Sequence, residues 1–130
     1  MPMRVGFDLV SVAAVEDELR APTRDRYLAR VYTEREVAEC TTDRGVSAER
    51  LAARFAAKEA TIKVLPHSAS GFALREIEAR RTESGRVEIE LTGAAASLAS
   101  DGGILGLSVS LTHEAGIAGA VVIAEYRAPL

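Results

Sequence analysis

One cysteine, two histidines and no excess of basic charge remove several classes of chemistry before any motif is considered. Cys40 has no partner for an internal disulfide and cannot build a cysteine zinc cluster, which leaves it as a half-buried helix residue. A net charge of −3 argues against general binding to nucleic acid, because that affinity comes from neutralising phosphates with many clustered Lys and Arg. No apolar run approaches the length of a membrane helix. Met1-Pro2-Met3-Arg4 leads directly into strand-like residues, without a signal-peptide layout. A cytoplasmic protein that engages neither membrane nor nucleic acid is expected. What the chain does have is 48% apolar residues over 130 positions, enough for one core, so one domain spanning 1–130 is expected.

Alternation from Met3 to Val10 predicts a strand, with Asp8 an acid inside an apolar segment. Val12 to Leu19 and Asp25 to Val31 read as helices separated by Ala21-Pro22-Thr23. Thr33-Glu34-Arg35-Glu36 has the spacing of a capping box and predicts a short helix to about Thr41, followed by a polar connection over Thr42 to Val46. Ser47 to Pro66 is rich in Ala, Leu, Arg, Glu and Lys, as a long central helix would be, with Leu51, Phe55, Ile62 and Leu65 on its core side. His67 to Phe72 is expected to be a loop. Leu74 to Arg81 and Arg86 to Thr92 form a predicted hairpin, Gly93 to Ser100 a helix, and Leu107 to Leu111 and Ile117 to Tyr126 two strands joined by a turn at His113 to Gly116. The order predicts an α+β fold in which helices cover one face of an antiparallel sheet around a long central helix.

Three groups of residues can carry chemistry. A carboxylate between Phe7 and Leu9 is costly unless a cation or hydrogen bonds compensate it; an arginine partner and a metal ion serve equally well. Gly6, on the same strand face, leaves space beside Asp8 for a bulky ligand. On the central helix, Phe55, Glu59 and Lys63 share one row at four-residue spacing and Arg54, Lys58 and Ile62 the next, so one acid stands among three cations. An ordinary Glu59 to Lys63 helix pair accounts for that pattern taken alone. Magnesium, however, is typically held by one or two carboxylates plus substrate phosphates, and Asp8 with Glu59 matches that count. Arg54, Lys58 and Lys63 would then neutralise diphosphate oxygens. The third group is Ser108-Val109-Ser110-Leu111-Thr112-His113-Glu114, where a lone histidine at a strand end is more often a surface residue than a catalyst. Separately, Arg20, Arg24, Arg26 and Arg30 make a positive stretch on an otherwise acidic chain, which by itself describes a solvated helix face.

Gly6-Phe7-Asp8-Leu9-Val10, Arg54 to Lys63 and Ser110-Leu111-Thr112-His113-Glu114, in this order, resemble the opening strand, central helix motif and late strand motif of the holo-acyl-carrier-protein synthase family. The resemblance covers nearly the whole chain. It implies a 4′-phosphopantetheinyl transferase fold and transfer of the phosphopantetheine arm of coenzyme A to a serine of an apo acyl carrier protein, releasing adenosine 3′,5′-bisphosphate. By resemblance, Asp8 and Glu59 bind Mg2+, Lys63 assists at the reacting phosphate, and Arg54, Lys58 and His113 hold the nucleotide and its phosphates. The family also implies a homotrimer with active sites at subunit interfaces. Its carriers are acidic, so Arg20, Arg24 and Arg26 become an expected docking surface; carriers of fatty-acid, polyketide and peptide synthesis all fit. The chain departs from the family pattern at Val64-Leu65-Pro66-His67-Ser68, where a glycine-rich loop is usual, at Val87, where proline is usual, and in its acidic first helix. A small magnesium-dependent phosphohydrolase using the same two acids, and a non-catalytic interaction domain, are the competing readings.

Overall fold

A computed structural model describes residues 2–66 and 71–128. The loop expected at His67 to Phe72 falls largely outside them. Strand β1 (Met3–Ser11) leads into α1 (Val12–Arg20), α2 (Arg24–Val31) and α3 (Glu34–Glu39). The polar connection then folds into a two-residue ladder, β2 (Thr41–Thr42) on β3 (Gly45–Val46), before the long helix α4 (Ala48–Val64). A 3-10 turn (Leu74–Glu76) opens β4 (Ile77–Arg81), which pairs with β5 (Val87–Leu91); α5 (Gly93–Asp101), β6 (Ile104–Glu114) and β7 (Ile117–Tyr126) complete the chain. The main sheet is antiparallel with order β1-β7-β6, and the architecture is α+β as expected.

The helix ends are chemically specified. Thr33 and Glu36 make the reciprocal capping box, with Glu36 N donating to Thr33 Oγ1 at 3.1 Å and Thr33 N donating to Glu36 Oε1 at 2.9 Å. Ser47 caps α4 by accepting from Arg50 N, and Pro66 follows the helix end after the C-cap Leu65. The turn between β6 and β7 is shorter than expected, because β6 continues to Glu114 and only Ala115 and Gly116 reverse the chain, both at positive φ. His113 therefore lies in the ladder, opposite Ala118.

Helix α4 does not present a single apolar stripe. Leu51 and Leu65 are buried as expected, but Phe55 and Ile62 are only half-buried, whereas Ala52, Ala53, Ala56, Ala57, Ala60, Thr61 and Val64 are all enclosed. The helix is surrounded on most sides, and alanines let its neighbours approach closely. Gly6 serves the same end: a Cβ there would collide with the Ala60 carbonyl oxygen. The space beside Asp8 that the missing side chain was expected to leave for a ligand is filled by the α4 backbone, and this approach brings the helix onto β1.

The sheet has two unlike faces. Gly6, Val10, Ala118, Ala120, Val122 and Ala124 face α4, while Met3, Val5, Phe7 and Leu9 stand on the other face with 56 to 65% exposure. Ile117 and Ile123 extend that apolar surface.

Candidate active site

Asp8 and Glu59 meet where α4 crosses β1. Asp8 is on the helix-covered face because Gly6 and Val10 are, and close packing at Gly6 sets the adjacent turn of α4 beside it. Partial burial and the nearby charge of Asp8 push the Glu59 carboxyl above the usual carboxylate range, against the lowering effect of Lys63. Lys63 does not fold back along the helix onto Glu59. Its Nζ donates to Phe7 O at 2.7 Å and to Asp8 Oδ1 at 3.4 Å, so the compensating cation for the strand acid is this lysine rather than an arginine. Glu59 has no ion-pair partner among the described residues. Two carboxylates and one half-exposed ammonium thus share one open corner of the fold.

No group of three or more His, Cys, Asp or Glu side chains able to hold a metal occurs among the described residues. A pair of acids is what a weakly held, hard divalent ion needs when substrate phosphates and water supply the other oxygens. Repulsion between the two carboxylates would be relieved by such an ion, so the donor set fits magnesium.

Lys58 is placed elsewhere. It is completely buried, and its three N–H donors go to Glu36 Oε1 at 2.7 Å, Leu74 O at 3.0 Å and Ile77 O. Burial pulls the pKa of the Lys58 ammonium below a lysine's ordinary value, opposed by the charge of Glu36. With every donor used, Lys58 has none for a phosphate, which corrects the expectation drawn from its position in the helix row. Arg54 is also turned inward, 3% exposed, with Nη2 donating to Glu39 Oε1 at 3.3 Å and Nε without a partner among the described residues. Glu39 in turn accepts from Arg35 and from Arg81 N, joining α3, α4 and β4. Neither side chain faces the Asp8 and Glu59 pair.

His113 is reached by register. Asp8 lies opposite Ala120 and Leu111, and Val10 opposite Ala118 and His113, so the histidine and Asp8 share a sheet face at roughly 12 Å by strand spacing. Nδ1 of His113 sits 3.1 Å from Glu49 Oε2, at the edge of a cavity of about 360 Å³ that Arg44 and Arg50 also line. Those two arginines were missed in the sequence, where Arg44 lay in a connection without pattern and Arg50 in the first turn of a helix full of charges. A basic residue near the helix start with a second on the preceding turn was the available signal.

Of the expected docking arginines, Arg20 pairs with Glu16 at 3.3 Å and Arg24 donates to Leu19 O at 3.2 Å, while Arg26 is exposed at a cleft. Cys40 is fully buried, and burial pushes its thiol up to about 11, so it takes no part.

Residues 4–117 match the model of the 4′-phosphopantetheinyl transferase superfamily. The chain belongs to that superfamily. Among its relatives, a holo-[acyl-carrier-protein] synthase of Anaeromyxobacter sp. (strain K) is 39% identical over 131 residues, covering 99% of this chain and all of the relative. Superfamily members of known structure superpose over almost the full length. A Chronobacterium ammoniagenes ACPS–CoA complex has a TM-score of 0.82 at 30% identity, covering 98% of this chain and 100% of that one. The Helicobacter pylori holo-[acyl-carrier-protein] synthase in complex with coenzyme A has a TM-score of 0.79 at 26% identity, covering 94% and 100%.

Proposed function

We propose that this chain transfers the 4′-phosphopantetheine arm of coenzyme A to a serine hydroxyl of an apo acyl carrier protein, as a magnesium-dependent holo-[acyl-carrier-protein] synthase acting in the cytoplasm. The observation that carries this reading is the convergence of Asp8 and Glu59, with Lys63 beside them, in a chain whose relatives and structural neighbours are synthases of this name, some solved with coenzyme A. In the reaction the serine oxygen forms a bond to the β-phosphorus and gives up its proton to solvent, the diphosphate bridge breaks, and adenosine 3′,5′-bisphosphate leaves with the bridging oxygen.

Asp8 and Glu59 would hold Mg2+, which when bound supplies positive charge to the diphosphate oxygens. Lys63 is 54% exposed and long enough to exchange its contact with Asp8 for a phosphate oxygen, so it would stabilise charge on the transferred group. His113, Arg44 and Arg50 would take the nucleotide's own phosphate at the far end of the same face. No enzyme nucleophile is needed, because the hydroxyl comes from the carrier. One domain over 1–130 carries all of these groups.

Mass spectrometry of an apo carrier incubated with the chain, Mg2+ and coenzyme A tests the reading. A gain of one phosphopantetheine per carrier is expected, with coenzyme A consumed only when the carrier is present. Coenzyme A breakdown without carrier would indicate a phosphohydrolase instead.

The exposed apolar face of β1 and β7 is the surface through which we propose that the chain forms a homotrimer, with sites completed at the subunit interfaces. Light scattering should report three chains per particle, and a Phe7→Glu substitution in the centre of that face, where Phe7 is 56% exposed, should yield single chains. A monomeric wild type would contradict this assembly.

A further inference from the structure

Tyr126 joins the end of the sheet to the end of the helix that carries Glu59 and Lys63. The row of β7 side chains facing α4 runs Ala118, Ala120, Val122 and Ala124, all buried, and then Tyr126. Small residues let the helix lie close, and where the row ends the tyrosine reaches across. Its Oη donates to the main-chain carbonyl of Val64, the last residue of α4. The Arg4 guanidinium lies over the ring, 5.2 Å from its centroid, on the β1 face that also carries Gly6 and Asp8.

The last carbonyls of a helix have no donor within the helix. Leu65 N serves those of Thr61 and Ile62, at 3.1 and 3.2 Å, and Pro66 has no N–H for the carbonyls that follow. Without the tyrosine hydroxyl the final turn is the part of α4 most free to fray, and Lys63 is rooted in it. Glu59 stands a turn earlier, next to Ala60, where the close approach of Gly6 holds the helix backbone on β1. Lys63 is half-exposed, and its contacts with Phe7 O at 2.7 Å and Asp8 Oδ1 at 3.4 Å depend on the direction in which the last turn points.

Resting on the transferase reading above, we propose that Tyr126 is a positioning residue for Lys63: its hydroxyl fixes the last turn of α4 so that the ammonium stays beside Asp8 and within reach of the transferred phosphate. The two acids are held independently, by the crossing of α4 over β1. Removing the hydroxyl therefore loosens the lysine without disturbing the acid pair, and its effect on transfer passes through Lys63.

Tyr126→Phe keeps the ring, its packing and its contact with Arg4, and removes only the donor. Steady-state transfer to apo carrier should show kcat lowered about tenfold, with KM for coenzyme A and Mg2+ uptake each within about twofold of wild type. In a Lys63→Ala background the same substitution should change kcat by less than about twofold, whereas a merely structural tyrosine would lower stability and leave kcat per folded chain unchanged. A second readout needs no turnover. Lys58 and Lys63 are the only lysines in the chain, and Lys58 is completely buried with its donors engaged, so an amine-reactive acetyl ester at fixed pH labels Lys63 alone of the two. Peptide mass spectrometry should find Lys63 labelled about threefold faster or more in Tyr126→Phe, as its ammonium leaves Phe7 O and Asp8. Equal labelling rates, an unchanged kcat, loss of Mg2+ uptake, or additive losses in the double variant overturn the inference. A wild type that transfers nothing refutes the transferase reading, and the labelling rates then decide by themselves whether Tyr126 holds Lys63.

Discussion

Asp8→Ala and Glu59→Ala are each expected to lower kcat/KM for transfer by about a thousandfold or more, with the chain still folded. The magnitude follows from the several kcal/mol of charge stabilisation that a metal contributes to phosphoryl transfer, each 1.36 kcal/mol being a factor of about ten. Folding should survive because neither side chain is part of the core: Glu59 is half-buried, and the only ion pair between Asp8 and a described residue is the solvent-facing one with Lys63. Loss of one acid also leaves the other without the repulsive neighbour that raises the Glu59 value, so metal-free stability should not fall. Steady-state transfer measured with purified, monodisperse variants checks this. A variant retaining more than about a tenth of wild-type activity would remove that residue from the metal site.

Lys58→Met should destabilise the fold by about 3–5 kcal/mol, the largest stability effect expected in the chain. Glu36 is fully buried, accepts from Thr33 N and Ala79 N as well as from Lys58, and would be left as an uncompensated charge; Leu74 O and Ile77 O would lose a donor at the same time. Adding Glu36→Gln should restore part of the loss, since it removes the stranded charge while its single amide oxygen can still accept from one of the two backbone donors, Thr33 N or Ala79 N. Denaturant unfolding of the two single variants and the double variant measures the coupling. A Lys58→Met protein as stable as the wild type would mean that the buried pair carries no net weight.

The lysine also marks the limit of sequence reading for this chain. Lys58 and Glu59 are adjacent in a run of charges, and helical spacing gave both to the same chemistry. What separates them is tertiary: one faces the hairpin and α3, the other β1, and only packing on both sides of α4 reveals it. Elements governed by local rules were legible, including the capping box at Thr33, the Ser47 cap, the stop at Pro66 and the alternation of β1 and β7. Phe55 and Ile62 are half-buried rather than core because a helix enclosed on most sides by alanine contacts has no single apolar stripe. At Gly6 the volume that the missing side chain vacates goes to the α4 backbone, which spacing along one strand does not reveal. The Asp8 and Glu59 pairing could be suspected from the rarity of an acid in an apolar strand; its partner in Lys63 required the crossing of α4 over β1.

The central claim is that an acid from the first strand and an acid from the long helix share a divalent ion. Calorimetric titration of Mg2+ into the chain with coenzyme A present tests it without relying on turnover. The account predicts one Mg2+ per chain for the wild type and no detectable uptake for Asp8→Asn or Glu59→Gln. Equal Mg2+ binding by all three proteins would contradict it.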